Sequence, residues 1–195
     1  MLLGCSTTKK TENVEDNLVV KNKPPQEFVP ILPSNQKNIE QKENEKIYTN
    51  NGFSITFPKE WDVAEPKNDI VSDVKLIVVS QFEDENDTYK ENLAVGKKLL
   101  KQEVPVELYA SVNIETIENK TGMKYDSLKP ISVNSIDAYQ VVFPAREINK
   151  IKIKQMQTYF VSGTDAFILI FSAEESKFYD YSTIVDRMIS SFKIN

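Results

Sequence analysis

The segment AFILIFSA, residues 166–173, constrains the fold most, because a strand of this composition is apolar on both faces. A strand that faces water on one side alternates apolar and polar residues, whereas a strand buried on both faces is a continuous apolar run. The preceding run KIKIKQMQTYFV is expected to pair with it across a turn at residues 162–165. The sequence therefore predicts an antiparallel sheet that helices cover on both faces.

An earlier hairpin is predicted in IYTNNGFSITFPKEW, residues 47–61. Asn51 and Gly52 both accept a positive φ angle, which a two-residue hairpin turn requires. Apolar side chains occupy every second position from Phe53 to Phe57, so we expect one face of this strand to be buried.

Two segments have helical character. The first, VPVELYASVNIETIENKTG, has a proline near its start and a glycine at its end, as helices often do. The second, KFYDYSTIVDRMISSFKIN, carries apolar residues at steps of three and four, which predicts an amphipathic helix. In the first segment the residues expected to share one helix face are Tyr109 and Val112, with Leu108 and Ile117. In the second segment the residues of the apolar face are Phe178, Tyr181, Ile184, Val185, Met188, Ile189 and Phe192. Trp61, the only tryptophan, is interpreted as a core side chain.

This order of segments resembles that of the PsbP-like superfamily over residues 46–195. The similarity is carried by an opening motif, GFSITFPKEW, a first helix, PVELYASVNIETIEN, a central region, ISVNSIDAYQVVF with MQTYFVSGTDAFILIFSA, and a closing helix, FYDYSTIVDRMISSFKI. The resemblance implies an α/β (α+β) fold, a three-layer α/β/α sandwich around an antiparallel sheet. It also implies a binding module, since the family shares no catalytic motif, and the bacterial lipoproteins of the family fit best.

The only cysteine, Cys5, follows Leu2, Leu3 and Gly4. This tetrad resembles a bacterial lipobox, which implies a diacylglycerol on the Cys5 sulfur and makes residues 1–5 the remnant of a lipoprotein signal. A complete signal needs a charged and apolar leader, so we expect a start site upstream. The protein is then expected on a bacterial cell membrane, facing the extracytoplasmic side. The alternative is a cysteine that stands there by chance.

Residues 6–45 lack sustained periodicity, contain four prolines and balance their charges. Such a segment buries too little apolar surface to offset its ordering entropy, so we expect a disordered tether. The globular domain is then predicted to span residues 46–195.

Composition excludes several function classes. The chain has no histidine, one cysteine and five scattered glycines, which excludes His-based triads, CxxC pairs and phosphate-cradling glycine loops. We expect no cofactor. A net charge of −5 argues against nucleic acid as a partner.

The sequence therefore predicts a lipid-anchored, non-catalytic accessory protein that binds another envelope protein. The alternative is a carboxylate-using hydrolase, or an envelope protein that binds calcium or another small ligand.

A candidate binding loop lies between two β-rich runs at residues 83–87, called the acidic loop below. Its candidate binding residues are Glu83, Asp84, Glu85 and Asp87. Carboxylate oxygens suit calcium, but the turn glycine and the closing glutamate of an EF-hand are replaced here by Tyr89 and Val95. The alternative interpretation is a solvated loop without a ligand.

Overall fold

The structure is a computed structural model that describes residues 29–30, 39–65, 73–125 and 127–195. These residues form a mixed α+β fold with two antiparallel sheets and two α-helices. The predicted α/β (α+β) class is therefore confirmed. The strands and helices are β1 (Val29–Pro30), β2 (Ile39–Gln41), β3 (Glu45–Asn50), β4 (Phe53–Pro58), β5 (Asp62–Glu65), β6 (Val74–Val79), β7 (Asn92–Leu99), α1 (Val106–Thr121), β8 (Lys129–Val133), β9 (Ile136–Ile148), β10 (Ile151–Ser162), β11 (Asp165–Glu174), α2 (Ser182–Ser191) and β12 (Lys193–Ile194).

The large sheet has eight strands in the order β1-β5-β6-β7-β11-β10-β9-β8. The apolar strand β11 lies inside it, between β7 and β10, and its two faces enter different packing clusters. Phe167, Leu169 and Phe171 face the main core, whereas Ile168 packs with the residues around α1. Both faces of this segment therefore make apolar contacts, as expected of a strand without polar alternation, while the covering of both faces by helices stays a prediction.

The opening hairpin forms as predicted, with φ angles of 55° at Asn51 and 81° at Gly52. Phe53, Ile55 and Phe57 are almost fully buried. This hairpin does not extend the large sheet. It belongs to a second, small sheet with the order β12-β4-β3-β2, a division that the sequence did not predict. Because its apolar face packs with residues of the large sheet, its edges are left to pair with β2 and β12.

Two short strands lie within the range predicted as a tether. Ile39–Gln41 pairs with β3, and Val29–Pro30 pairs with β5. The small sheet therefore starts before residue 46. Most of the remaining tether range, and Cys5 with it, lie outside the described residues, so these interpretations stay predictions.

Helix α1 begins after Pro105 and ends at Gly122, whose φ of 72° gives the expected left-handed cap. Its buried residues are Ala110 and Ile114, which pack against β9 and β10. The prediction of one shared face was wrong, because Tyr109 and Ile117 pack against the same buried cluster whereas Leu108 and Val112 are 52% and 51% exposed. Apolar residues occur on more than one side of this helix. The sequence alone therefore could not show which side packs on the sheet.

Helix α2 is shorter than the amphipathic pattern. Phe178 and Tyr181 lie in the turn before it, and Phe192 lies directly after it. The predicted burial is confirmed for Val185, Met188, Ile189, Phe178 and Phe192, which are core residues, whereas Tyr181 and Ile184 are partly buried and pack against that core. An extended backbone at Phe192 turns the chain from α2 into β12.

Replacement of Phe192 by alanine should lower the free energy of unfolding by about 3–5 kcal/mol, because a buried aromatic ring is lost and a cavity remains. Phe82 is the matched control, since its ring is 53% exposed. We expect Phe82→Ala to cost less than about 1 kcal/mol. Urea denaturation of both variants checks this difference, and equal losses would contradict the assigned burial.

Gly96→Ala should be destabilising by about 1–3 kcal/mol, although alanine usually suits a strand better than glycine. A Cβ atom at residue 96 would lie 2.9 Å from Cγ2 of Ile168, its partner on β11. That methyl group moves little, because β-branched side chains are restricted at χ1. In an Ile168→Ala background the cost should shrink, and a double-mutant cycle by thermal denaturation measures this coupling. An unchanged cost in that background would remove the clash as its cause.

Candidate functional site

The acidic loop connects β6 to β7 and is organised by its own side chains. The Asp84 carboxylate accepts hydrogen bonds from the backbone N–H groups of Asn86 and Asp87, at 2.7 and 3.2 Å. The Asp87 carboxylate accepts two more, from the backbone N–H groups of Glu83 and Tyr89, at 2.9 and 3.1 Å. These bonds give the loop backbone the partners that a regular element would supply.

Lys177 attaches this loop to the closing turn, defined here as residues 175–181 between β11 and α2. Its Nζ lies 3.0 Å from Oε2 of Glu83 and 3.2 Å from Oδ2 of Asp87. The Tyr181 hydroxyl donates a hydrogen bond to Oε1 of Glu83 at 2.8 Å. Charge-assisted bonds of this kind are stronger than neutral ones, so the loop is fastened to the domain.

These contacts shift the pKa values of both charged partners. Burial would raise the pKa of Asp87, whose side chain is only 1% exposed, but the N–H donors of Glu83 and Tyr89 together with Lys177 lower it below its ordinary value. Burial likewise disfavours the charge on Lys177, yet its bonds to the two carboxylates raise its pKa. Both groups are therefore charged at neutral pH.

Glu91 is a buried carboxyl group beside this ion pair. The residue is 0% exposed, and its Oε2 accepts a hydrogen bond from the Ser80 hydroxyl at 3.2 Å. Its Oε1 is buried and has no hydrogen-bond partner among the described residues. Burial raises the pKa of Glu91 and the nearby Asp87 carboxylate adds to this, while its own backbone amide, Lys177 and Ser80 oppose it.

The structure brings together two of the four predicted loop residues. Glu83 and Asp87 meet at Lys177, whereas Asp84 bonds the loop backbone and Glu85 is exposed. Sequence reasoning missed Lys177 and Glu91. The available signal for Lys177 was its position, one residue before the first aromatic of the closing amphipathic segment.

The position that a calcium ion would occupy between the loop carboxylates is taken by an ammonium group. Lys177 Nζ already lies between carboxylate oxygens of Glu83 and Asp87. Over residues 39–65, 73–125 and 127–195, no three or more His, Cys, Asp or Glu side chains form a group that could hold a metal ion. The geometry of the loop is that of an internal ion pair.

A cleft of about 500 Å³ opens between the small sheet and α2. Glu91, the carboxyl group with a raised pKa, is not among the residues that line it. A carboxylate hydrolase needs both features in one place, and this cleft does not combine them. The described lining residues are Asn44, Glu45, Thr56, Phe57, Pro58, Glu60, Ile184, Arg187, Met188 and Ser191.

The outer side of α1 carries exposed apolar side chains. Leu108 and Val112 lie one helical turn apart, each about half exposed. Neither α1 nor α2 has the length and apolar character needed to cross a membrane, as judged over the described part of the chain.

Comparison with solved structures identifies the fold as PsbP-like. Cyanobacterial PsbP (CyanoP) from Synechocystis sp. PCC 6803 aligns with a TM-score of 0.59 at 11% identity, covering 80% of this chain and 95% of that chain. LpqN of Mycobacterium tuberculosis, a protein involved in cell envelope biogenesis, aligns with a TM-score of 0.54 at 13% identity, covering 82% and 93%. No family model and no curated protein matches the sequence. The resemblance stated from the sequence is thereby confirmed for the fold.

Lys177→Met should lower the free energy of unfolding by about 1–3 kcal/mol at neutral pH, because the buried Asp87 carboxylate loses its cation. The pKa of Asp87 is lowered in the folded protein. Its stabilisation is therefore present above the unfolded pKa and is lost as pH falls through the folded value. The difference in free energy of unfolding between wild type and Lys177→Met should therefore become smaller in acid. Chemical denaturation at several pH values measures it.

The exposed Lys101 provides the control, and Lys101→Met should change stability little at any pH. If both lysine variants lost the same stability, or if the loss from Lys177→Met grew in acid, the assigned ion pair would be refuted.

Proposed function

We propose that this protein is a lipid-anchored accessory protein of the bacterial cell envelope. In this proposal Cys5 carries the lipid, the domain faces the extracytoplasmic side, and its role is to bind another envelope protein. The observation that carries it is the PsbP-like fold, which this chain shares with CyanoP and with LpqN. The sequence Leu2-Leu3-Gly4-Cys5 supports the lipid attachment independently of the fold.

A non-catalytic role is supported by how the charged groups are used. The Asp87 carboxylate is buried against Lys177, and the partly exposed Glu83 carboxylate is bound by both Lys177 and the Tyr181 hydroxyl, so neither is a free carboxylate. Glu91 has the raised pKa of a candidate acid, but it is fully buried and does not line the cleft. These observations favour the accessory role over the carboxylate hydrolase.

The proposal includes the three-layer α/β/α arrangement for the domain. On β10, Tyr159 packs with α1, while the next residue, Phe160, packs with the cluster that contains α2 and the small sheet. Successive strand residues point to opposite faces of a sheet. The contacts of Tyr159 and Phe160 therefore support a layer on each side of the large sheet.

A partner surface is supported by the exposed stripe on α1. Leu108 and Val112 are apolar, adjacent on the helix and turned away from the sheet. Contiguous exposed apolar side chains are typical of protein interaction sites. This feature, rather than an acidic cleft, is what we expect of a binding module.

Expression behind a lipoprotein leader tests the anchor. We expect the wild-type chain to incorporate labelled fatty acid, to sediment with membranes and to crosslink in cells to another envelope protein. Cys5→Ala should lose both the label and the membrane association, because two acyl chains supply the anchoring energy. Ser6→Ala, at the adjacent polar position, should behave as wild type.

Persistence of Cys5→Ala in the membrane fraction, or a wild-type chain without fatty acid, would contradict the anchor. A lipidated wild-type chain that crosslinks to no envelope protein would contradict the accessory role while leaving the anchor intact.

A further inference from the structure

Glu91 is anchored to the end of β6 by two contacts and yet keeps one oxygen without a partner. The backbone N–H of Ser80 donates to the Glu91 carbonyl at 2.8 Å, and the Ser80 hydroxyl donates to Oε2 at 3.2 Å. Oε1 is buried, and no described group donates to it. A buried polar oxygen without a hydrogen-bond donor lowers the stability of the folded state, and this carboxyl group contains one such oxygen.

The charged and titratable neighbours of Glu91 come from two segments. The acidic loop and its continuation contribute Asp87 and the hydroxyl of Tyr89, and the closing turn contributes Lys177 and the hydroxyl of Tyr181. Glu83 lies one contact further away, because it binds both Lys177 and Tyr181.

Lys177 is the only cation among these neighbours, and it already contacts Glu83 and Asp87. An ionised Glu91 would add a third negative charge to one ammonium group. A protonated carboxyl group avoids this charge, and a neutral buried oxygen without a partner costs less than a charged one.

We propose that Glu91 is a proton-binding site that controls how tightly the acidic loop closes on the domain. With a proton on Glu91, the loop stays fastened by Lys177 and Tyr181. Loss of the proton leaves a buried carboxylate that gains hydration when the loop opens. The opening unit is the loop, since the strand ends that flank it, Val79 of β6 and Asn92 of β7, pair with each other.

The direction of the effect follows from the two states of Glu91. Burial in the closed state raises its pKa, and opening exposes it to water and returns the pKa toward its ordinary value. As long as the Lys177–Asp87 ion pair is intact, closure is therefore strongest when Glu91 is protonated, and it weakens as pH rises between these two values. Within that interval, each pH unit multiplies the ratio of open to closed molecules by about ten.

Hydrogen exchange of the full chain tests the proposal. The reporters are the backbone N–H groups of Glu83, Asp87 and Tyr89, and the N–H groups of β10 provide an internal reference for global unfolding. Protection factors, corrected for the intrinsic exchange rate, are measured from about pH 4 to pH 8 in wild type, Glu91→Gln and Glu85→Gln. Glu85→Gln is the matched control, because Glu85 is an exposed carboxyl group of the same loop.

We expect the loop protection of wild type and Glu85→Gln to fall with rising pH, by up to about tenfold per unit, while the β10 reference changes less. Glu91→Gln should keep its loop protection across the range, because glutamine cannot ionise. If this variant fails to fold, the wild-type profile still decides the matter.

A flat wild-type profile, a parallel fall in β10, or a Glu91→Gln profile that follows wild type would overturn the proposal. Millimolar calcium is added in a further arm at the upper pH. No change is expected. Recovery of loop protection would show that a metal ion, not a proton, neutralises the Glu91 carboxylate.

Discussion

The ring of Phe192 packs against aromatic rings of both sheets, and the rest of the fold depends on this packing. Its centroid lies 5.6 Å from that of Phe53 in the small sheet, and 4.8 and 5.6 Å from those of Phe160 and Phe167 in the large sheet. Tilted and edge-on aromatic pairs at such distances are favourable beyond their buried area. One side chain therefore connects two sheets that share no strand.

The backbone of Phe192 is fixed as firmly as its ring. The Asn134 side-chain amide donates to the Phe192 carbonyl at 2.8 Å and to the Ser190 carbonyl at 3.0 Å, which ties the end of α2 to the β8–β9 turn. The next two residues form β12 on the small sheet. Because this end of α2 is held, the closing turn before α2 is also positioned, and with it the Lys177 and Tyr181 contacts to the acidic loop. The site thus depends on the aromatic core, although no core residue belongs to it.

Local sequence patterns were sufficient for the hairpins and the apolar strand. Asn51 and Gly52 adopt positive φ angles, so turn chemistry alone located this connection. The division into two sheets was not predictable, since alternation defines a buried face but not what covers it. The exposed side of α1 was misassigned for a similar reason, because Leu108 and Val112 form a stripe as convincing as the buried one. The site was predicted only in part, since loop carboxylates are visible in a sequence while a partner about ninety residues away, Lys177, is not.

Equilibrium unfolding followed by two signals tests the central claim, that the Phe192 contacts make both sheets one cooperative unit. Trp61 is the only tryptophan, and its ring lies 6.0 Å from that of Tyr181, so its fluorescence reports on the small-sheet side of the core. Far-ultraviolet circular dichroism reports on the strands of both sheets. If the two sheets unfold together, the two transitions in urea are superimposable, as expected for a two-state domain. Two separate midpoints, with the tryptophan signal changing before or after the dichroism, would contradict it.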